Sequence, residues 1–214
     1  MLKIRPSFSH ALLFAAACLF LSSGDVHAQR DARLAEIITN PQELRLARDA
    51  GRKIAAFCAN CHGNSGFSNL PEVPNLAGQN VDYLLEQTRK FGTGERRDPF
   101  MQGLINALQE EEKIQLSIFY ASQNPKRSVQ QTPTADVTAG HNVYKIFCAR
   151  CHGESARGDE LIPRLASQQE PYLVLSVTRY RNKSGVRQDP QMSAAVAPLR
   201  DSDIKAVAAY LSSL

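Results

Sequence analysis

The hydrophobic residues of this chain recur mainly at helical spacing, and polar segments with proline or glycine separate them. One apolar stripe at positions i, i+3, i+4 and i+7 predicts an amphipathic helix at the end of the chain, and we expect Asp201 to cap it. Its members are Ile204, Val207, Ala208 and Leu211. An earlier stripe has the same spacing and consists of Ile114, Ser117, Ile118 and Ala121. The pattern favours an all-α fold.

Two further helices follow from local signals. In the run Asn40-Pro41-Gln42-Glu43, asparagine suits the cap, proline the first helical position and the acid the first turn, so we predict a helix from here into Cys58. Helical spacing also occurs in the run Val81, Leu84, Leu85 and Thr88. The run Tyr172-Leu173-Val174-Leu175 fits a strand equally well by pattern alone.

An internal repeat resolves that ambiguity. Leu76-Ala77-Gly78-Gln79 in the first half matches Leu165-Ala166-Ser167-Gln168 in the second, and each is followed by a Tyr-Leu pair. The repeat therefore predicts a helix beginning at Pro171. It also divides the chain into domains at 29–123 and 135–214, with a polar, proline-containing linker at 124–134.

A Cys-x-x-Cys-His motif lies in each half. The first comprises Cys58, Cys61 and His62; the second comprises Cys148, Cys151 and His152. This motif is the attachment signature of covalent c-type haem, in which both thiols bind the porphyrin and the histidine binds the iron. Two copies predict two covalently bound haem c groups and indicate electron transfer.

Other chemistry explains the motifs less well. A thioredoxin-like site needs a strand-turn-helix context that neither motif has. A structural zinc site would have to pool ligands from two distant segments and would leave the paired histidines unexplained. A disulfide is possible in an oxidising compartment, but such closely spaced cysteines seldom form structural disulfides.

Met101 and Met192 are the predicted second axial ligands. Apart from the initiator they are the only methionines, and both lie in a Gly-x-Arg-x-Asp-Pro-x-Met context at equivalent places in the repeat. Lone methionines usually fill gaps in a core, but His/Met ligation is the pattern of cytochromes c. After residue 28, His141 is the one histidine that belongs to neither motif, and we expect it on the surface of a helix.

Some residues are candidates to support the haem groups. The carbonyls of Pro74 and Pro163 are candidate acceptors for the second ring nitrogen of each ligand histidine. Arg96 and Arg187 suit haem propionates, although solvated loop arginines explain them equally well. Four tyrosines are expected to pack in the core or against haem: Tyr83, Tyr120, Tyr172 and Tyr210.

The N-terminus predicts export. Lys3 and Arg5 precede an apolar run over 11–21, and a small-residue cleavage site ends at Ala28. We therefore expect a signal peptide over 1–28 and a periplasmic protein, with a retained anchor as the alternative. The formal net charge of +4 gives no basis for nucleic-acid binding.

Taken together, these motifs resemble the dihaem cytochrome c4 family. The resemblance covers about 50–214 and rests on the two Cys-x-x-Cys-His-Gly motifs, the Leu-Ala-x-Gln segments, the paired methionines and the terminal helices. It implies two tandem class I cytochrome c domains, each wrapped around one haem. It also implies ligation of the first iron by His62 and Met101, and of the second by His152 and Met192.

The resemblance further implies a non-catalytic carrier. Such a protein moves electrons between redox partners, here an upstream reductase and a membrane-bound terminal oxidase, with possible peripheral association with the membrane. Two alternatives stay open: a dihaem enzyme of the peroxidase or thiosulfate dehydrogenase type, and an obligate electron-transfer subunit of a dehydrogenase. The segment from Gln29 to Asn40 is longer than is usual in the family, so it is either a docking arm or a frayed end.

Overall fold

The computed structural model describes residues 23–126 and 137–214, which form ten helices and no strand. The all-α prediction is confirmed. The helices are α1 (Ser23–Thr39), α2 (Pro41–His62), α3 (Val81–Thr93), α4 (Pro99–Asn106), α5 (Glu110–Ala121), α6 (Val137–Phe147), α7 (Ala149–His152), α8 (Glu170–Arg181), α9 (Pro190–Val196) and α10 (Asp201–Ser213).

Helix α2 begins as its sequence predicts. The side-chain oxygen of Asn40 accepts hydrogen bonds from the backbone N–H groups of Gln42, at 3.0 Å, and Glu43, at 3.3 Å. Pro41 occupies the first turn, where its missing N–H costs nothing. The helix continues beyond Cys58 to His62, so the whole first motif lies on its last turns.

The prediction that Asp201 caps α10 is wrong. Arg200 is the cap, with an extended backbone, and Asp201 is already the first helical residue. The carboxylate of Asp203 accepts the backbone N–H of Arg200 at 2.9 Å and thus supplies the capping bond. The predicted apolar stripe is confirmed, because Ile204, Val207, Ala208 and Leu211 are all buried.

The ambiguous segment Tyr172–Leu175 is helical. It lies within α8, which begins at Glu170, one residue before the expected start at Pro171. The repeat was therefore the better guide, because hydrophobic runs of this length do not distinguish a strand from a buried helix.

Helix α1 belongs to the first hydrophobic core. Leu34 and Ile37 are buried against α2, α3 and α5. On its outer side, the guanidinium of Arg33 pairs with Glu36, Glu43 and Glu111 and so ties α1 to α2 and α5. The alternative that 29–40 is a frayed end is wrong, since this segment provides core residues.

Each half contains one close crossing of two helices. Helix α2 meets α5 at Gly51, and α6 meets α10 at Gly140, an equivalent place in the repeat. A β-carbon at Gly51 would lie 2.0 Å from the carbonyl oxygen of Gln115, so only glycine allows this approach. Further along each helix pair, Cys58 packs in a cluster with residues of α5, and Cys148 packs in a cluster with residues of α10.

Parts of the sequence prediction fall on residues outside the described ranges. They are the apolar run over 11–21 of the predicted signal peptide and most of the predicted 124–134 linker. The predicted cleavage position after Ala28 lies within α1. Across 23–126 and 137–214, no helix has the length and apolar character needed to cross a membrane.

Candidate haem-binding sites

The first motif occupies the C-terminal end of α2. Cys58 and Cys61 are three residues apart on one face of the helix, and both are half-buried with free thiols. Gly63 then reverses the chain with φ of +74°, and its N–H donates to the Ala59 carbonyl. A side chain there would strike the Phe67 carbonyl, so the glycine after the histidine is required for the chain to turn beneath the motif.

His62 is buried and held in one tautomer. Its Nδ1 lies 3.0 Å from the carbonyl oxygen of Pro74. A carbonyl only accepts, so Nδ1 carries the proton and Nε2 keeps a lone pair. Burial lowers the pKa of His62, which favours the neutral ring that an iron ligand requires.

The second motif has a similar construction with several local differences. His152 is buried, its Nδ1 lies 3.0 Å from the Pro163 carbonyl, and burial lowers its pKa. The helix breaks at Cys148, which has φ of −121°, so the motif lies on the short separate helix α7. The hydroxyl of Tyr144 donates to the Gly153 carbonyl and fastens the turn after the histidine.

The Asp-Pro-x-Met segments are helix starts. The Asp98 carboxylate accepts the backbone N–H of Met101 at 3.0 Å, and the Asp189 carboxylate accepts that of Met192 at 2.9 Å. The proline between them is the first helical residue of α4 or α9. Each methionine is therefore placed by a capped first turn, and both side chains are half-buried.

This donor set suits covalent haem. Each half offers two thiols, an imidazole with a free Nε2 and one thioether sulfur, which is the ligand chemistry of His/Met haem. Burial raises the pKa of Cys58 and takes that of Cys148 to about 12. Within the described ranges no three His, Cys, Asp or Glu side chains converge as for a metal ion. The assignment of the eight residues to attachment and axial ligation stays a prediction.

Two arginines from different halves meet at one tyrosine. The guanidinium of Arg187 donates to the Tyr172 hydroxyl at 2.8 Å, and that of Arg96 donates to it at 3.2 Å. Burial would raise the pKa of Tyr172, but the two cations outweigh burial and lower it to about 8. Arg187 is only 7% exposed, so the solvated-loop alternative does not describe it.

Neither Arg96 nor Arg187 forms an ion pair with a carboxylate in the part of the chain that is described. Arg96 instead donates to the Gln87 side chain at 2.8 Å and stacks over the Phe91 ring at 4.3 Å. Two partly or fully buried cations without a protein anion make this location suitable for an anionic group. A haem propionate has the required charge.

Gln79 and Gln168 were not among the residues predicted to have a function, although both lie at the contact between the halves. Gln168 binds the backbone of Asn75, and Gln79 binds the backbone of Arg164. Both glutamines are only 6% exposed. The one sequence signal that could have pointed to them is their equivalence in the Leu-Ala-x-Gln repeat; nothing local indicated that either side chain binds the other half.

Comparison with known proteins finds relatives that agree with the two haem-binding motifs. The cytochrome c family matches residues 137–214. A cytochrome c4 from Pseudomonas aeruginosa is 30% identical over 77% of this chain and 87% of its own length. The thiosulfate dehydrogenase electron acceptor of Thiomonas intermedia is 30% identical over 74% of this chain and 78% of its own length. The crystal structure of reduced cytochrome c4 from Pseudomonas stutzeri superposes with a TM-score of 0.70 at 28% identity, covering 78% of this chain and 97% of that one.

Proposed function

The chain belongs to the cytochrome c4 family, and on that premise we propose that it carries electrons in the periplasm from an upstream reductase to a membrane-bound terminal oxidase. It is a dihaem electron-transfer cytochrome with two covalently bound haem c groups. The finer proposal concerns its location, its partners and the residues that hold each haem.

The residue assignment follows the geometry of the two motifs. Cys58 and Cys61 would form the thioether bonds of the first haem, and Cys148 and Cys151 those of the second. His62 and His152 are the proposed proximal ligands. The observation that carries this proposal is the equivalent pair of buried histidines, each with Nδ1 hydrogen-bonded to a prolyl carbonyl 3.0 Å away.

Met101 and Met192 are the proposed ligands on the opposite faces. Bound haem c supplies a one-electron iron couple, and the chain's residues determine its potential and its access to solvent. With both axial positions closed, neither iron offers a site for substrate, so we propose a carrier and not an enzyme. His141 supports this proposal, because it is exposed and its ring lies 5.1 Å from the ring of Tyr210, where it offers no third buried ligand.

The proposed organisation is a pair of cytochrome c domains, 29–123 and 135–214, with the linker at 124–134. Contacts between helices support it: α1 to α5 pack among themselves, as do α6 to α10. Arg96 and Arg187 would direct their guanidinium groups to haem propionates at the contact between the two domains. Export by a signal peptide cleaved near Ala28 completes the proposal.

The name of the relative from Thiomonas intermedia favours a second candidate for the electron donor. In that alternative the chain accepts electrons from a periplasmic dehydrogenase, either as a free carrier or as its bound subunit. Its own chemistry would be unchanged. Only the upstream partner would differ, and co-purification of a dehydrogenase with the native protein would favour this alternative.

The deciding experiment is a redox titration with optical spectra on holoprotein expressed with the haem-attachment machinery. We expect a mass increase of two porphyrins, low-spin spectra, a methionine-to-iron absorption band and two one-electron steps. A high-spin signal together with peroxide turnover would contradict the carrier and favour a dihaem enzyme. A mass increase of fewer than two porphyrins would contradict the attachment sites.

A further inference from the structure

The two halves exchange glutamine side chains at equivalent positions. The Gln168 Oε1 accepts the backbone N–H of Asn75 at 2.7 Å, and its Nε2 donates to the Asn75 carbonyl at 2.9 Å. In the opposite direction, the Gln79 Oε1 accepts the N–H of Arg164 at 2.7 Å, and its Nε2 donates to the Arg164 carbonyl at 2.9 Å. Each glutamine thus uses both ends of its amide on the main chain of the other half.

The peptide groups involved are those that hold the ligand histidines. The N–H of Asn75 and the carbonyl of Pro74 belong to one planar peptide unit, and that carbonyl accepts the Nδ1 proton of His62 at 3.0 Å. The N–H of Arg164 and the carbonyl of Pro163 form the equivalent unit beside His152. A continuous hydrogen-bonded chain therefore runs from each histidine through one peptide unit to a glutamine of the opposite half.

We infer that Gln168 tunes the potential of the haem in the first half and that Gln79 tunes the haem in the second. This inference rests on the proposed axial roles of His62 and His152. It assigns to each half a residue that acts on the iron of the other half, through a histidine that it does not touch.

The direction of the effect follows from polarisation. When the glutamine oxygen accepts the peptide N–H, the carbonyl oxygen of the same unit becomes more negative and accepts more strongly. A stronger acceptor draws the Nδ1 proton of the histidine and makes the ring a better electron donor. Such a ring stabilises ferric iron, so the glutamine lowers the potential. Burial of both glutamines keeps water from replacing this bond.

The test replaces each glutamine in the holoprotein with an apolar residue. We expect Q168L to raise the midpoint potential of the first-half haem, because the Pro74 carbonyl then accepts less strongly. We expect the ferrous-to-ferric ratio at the parent midpoint to rise about threefold. For a one-electron couple, at about 59 mV per tenfold, this corresponds to a rise in midpoint potential of about 28 mV. Q79L should do the same to the second-half haem. The haems are assigned beforehand with the M101A and M192A variants.

Two matched controls break other hydrogen bonds between the halves. Gln169 donates to the carbonyls of Leu70, at 2.8 Å, and Val73, at 2.7 Å, without contacting the Pro74–Asn75 peptide unit. Asn80 donates to the Ile162 carbonyl at 2.7 Å and leaves the Pro163–Arg164 unit alone. Q169L and N80A should leave both potentials at their parent values. If Q169L moves the first-half haem as far as Q168L does, the relay is wrong.

Proton NMR of the reduced protein gives a second readout. In Q168L the Nδ1 proton of His62 should move upfield as its hydrogen bond weakens, whereas that of His152 keeps its position. If Q168L does not accumulate, Q168M provides an apolar side chain of matching length. A shift of both haems by equal amounts, or of the second-half haem alone, would overturn the inference.

Failure of the relay and failure of the proposed function give different results. A parent protein without two low-spin, histidine- and methionine-ligated haems contradicts the proposed function. A parent protein with both such haems, whose Q168L and Q79L variants show no crossed shift, contradicts the relay alone.

Discussion

Gly140 lies so close to Ala206 that a β-carbon at Gly140 would come within 2.1 Å of the Ala206 carbonyl oxygen. The obstacle is main chain, so no side-chain rotation relieves it. We expect G140A to force α6 away from α10 and to destabilise the holoprotein by about 1–3 kcal/mol. Urea unfolding followed by circular dichroism measures the change.

Gly103 provides the matched control for that variant. It lies within helix α4, and a β-carbon there would meet nothing within 4 Å. G103A should therefore be neutral or stabilising by up to about 1 kcal/mol, since alanine is the better helix former. Equal losses of stability in G140A and G103A would show that the close helix crossing is not the cause.

Removal of either methionine should affect one haem. We expect M101A to lose about half of the methionine-to-iron absorption and to lower the potential of the first-half haem, because the thioether favours ferrous iron. M192A should do the same in the second half. Optical redox titration measures both quantities. Retention of the full absorption band in either variant would rule out that methionine as a ligand.

Helix α1 should contribute to the stability of the first half. Ile37 is fully buried against α2 and α5, so I37A should cost about 2–5 kcal/mol through lost burial and the cavity that remains. The neighbouring Ile38 is 45% exposed, and I38A should change stability by less than about 0.5 kcal/mol. Chemical unfolding of both variants checks this. If I37A leaves the free energy of unfolding unchanged, α1 does not stabilise the first half, and the docking-arm alternative is favoured.

The Arg89–Glu95 pair should give a pH-dependent contribution. Hydrogen bonds from Arg89 lower the pKa of Glu95 to about 2, from an ordinary value of 4.5. A carboxylate with a lowered folded-state pKa stabilises the fold above its ordinary pKa, and that contribution disappears as pH falls from about 4.5 through 2. Because Glu95 is exposed, E95Q should cost less than about 1 kcal/mol at pH 7.

The control for E95Q is E72Q, since Glu72 has no ion pair in the described part of the chain. The difference in urea midpoint between E95Q and the parent should shrink between pH 5 and pH 2.5, while that of E72Q should stay constant. A difference that grows on acidification would have the wrong sign for a lowered pKa.

Local signals in the sequence predicted the helices well. Asn40 and Pro41 contact only the turn that follows them, so their preferences suffice to locate the start of α2. The stripe around Ile204 has the period of its helix and identified the buried face. The prediction for Asp201 was wrong because Asp201 and Asp203 both lie in the first turn of α10. The backbone N–H of Arg200 donates to the carboxylate of Asp203.

Features that join distant segments were not predictable in this way. Nothing in the sequence distinguishes Gly51 and Gly140 from other helical glycines, because the atoms that exclude a β-carbon belong to the opposing helix. The prolyl carbonyls beside His62 and His152 were expected, since a ligand histidine needs an acceptor. The glutamines that bind those same peptide units were visible only as a repeated sequence, and their exchange between halves depends on tertiary contact.

The reciprocal glutamine bonds have the form of an isologous dimer interface. Position 79 binds 164, position 168 binds 75, and the repeat makes each pair the counterpart of the other. A single-haem chain that carried both the glutamine and the proline-linked peptide would already present a self-complementary patch. Two such copies would associate through the same glutamine-to-backbone hydrogen bonds, and joining them end to end in one chain would raise their effective concentration.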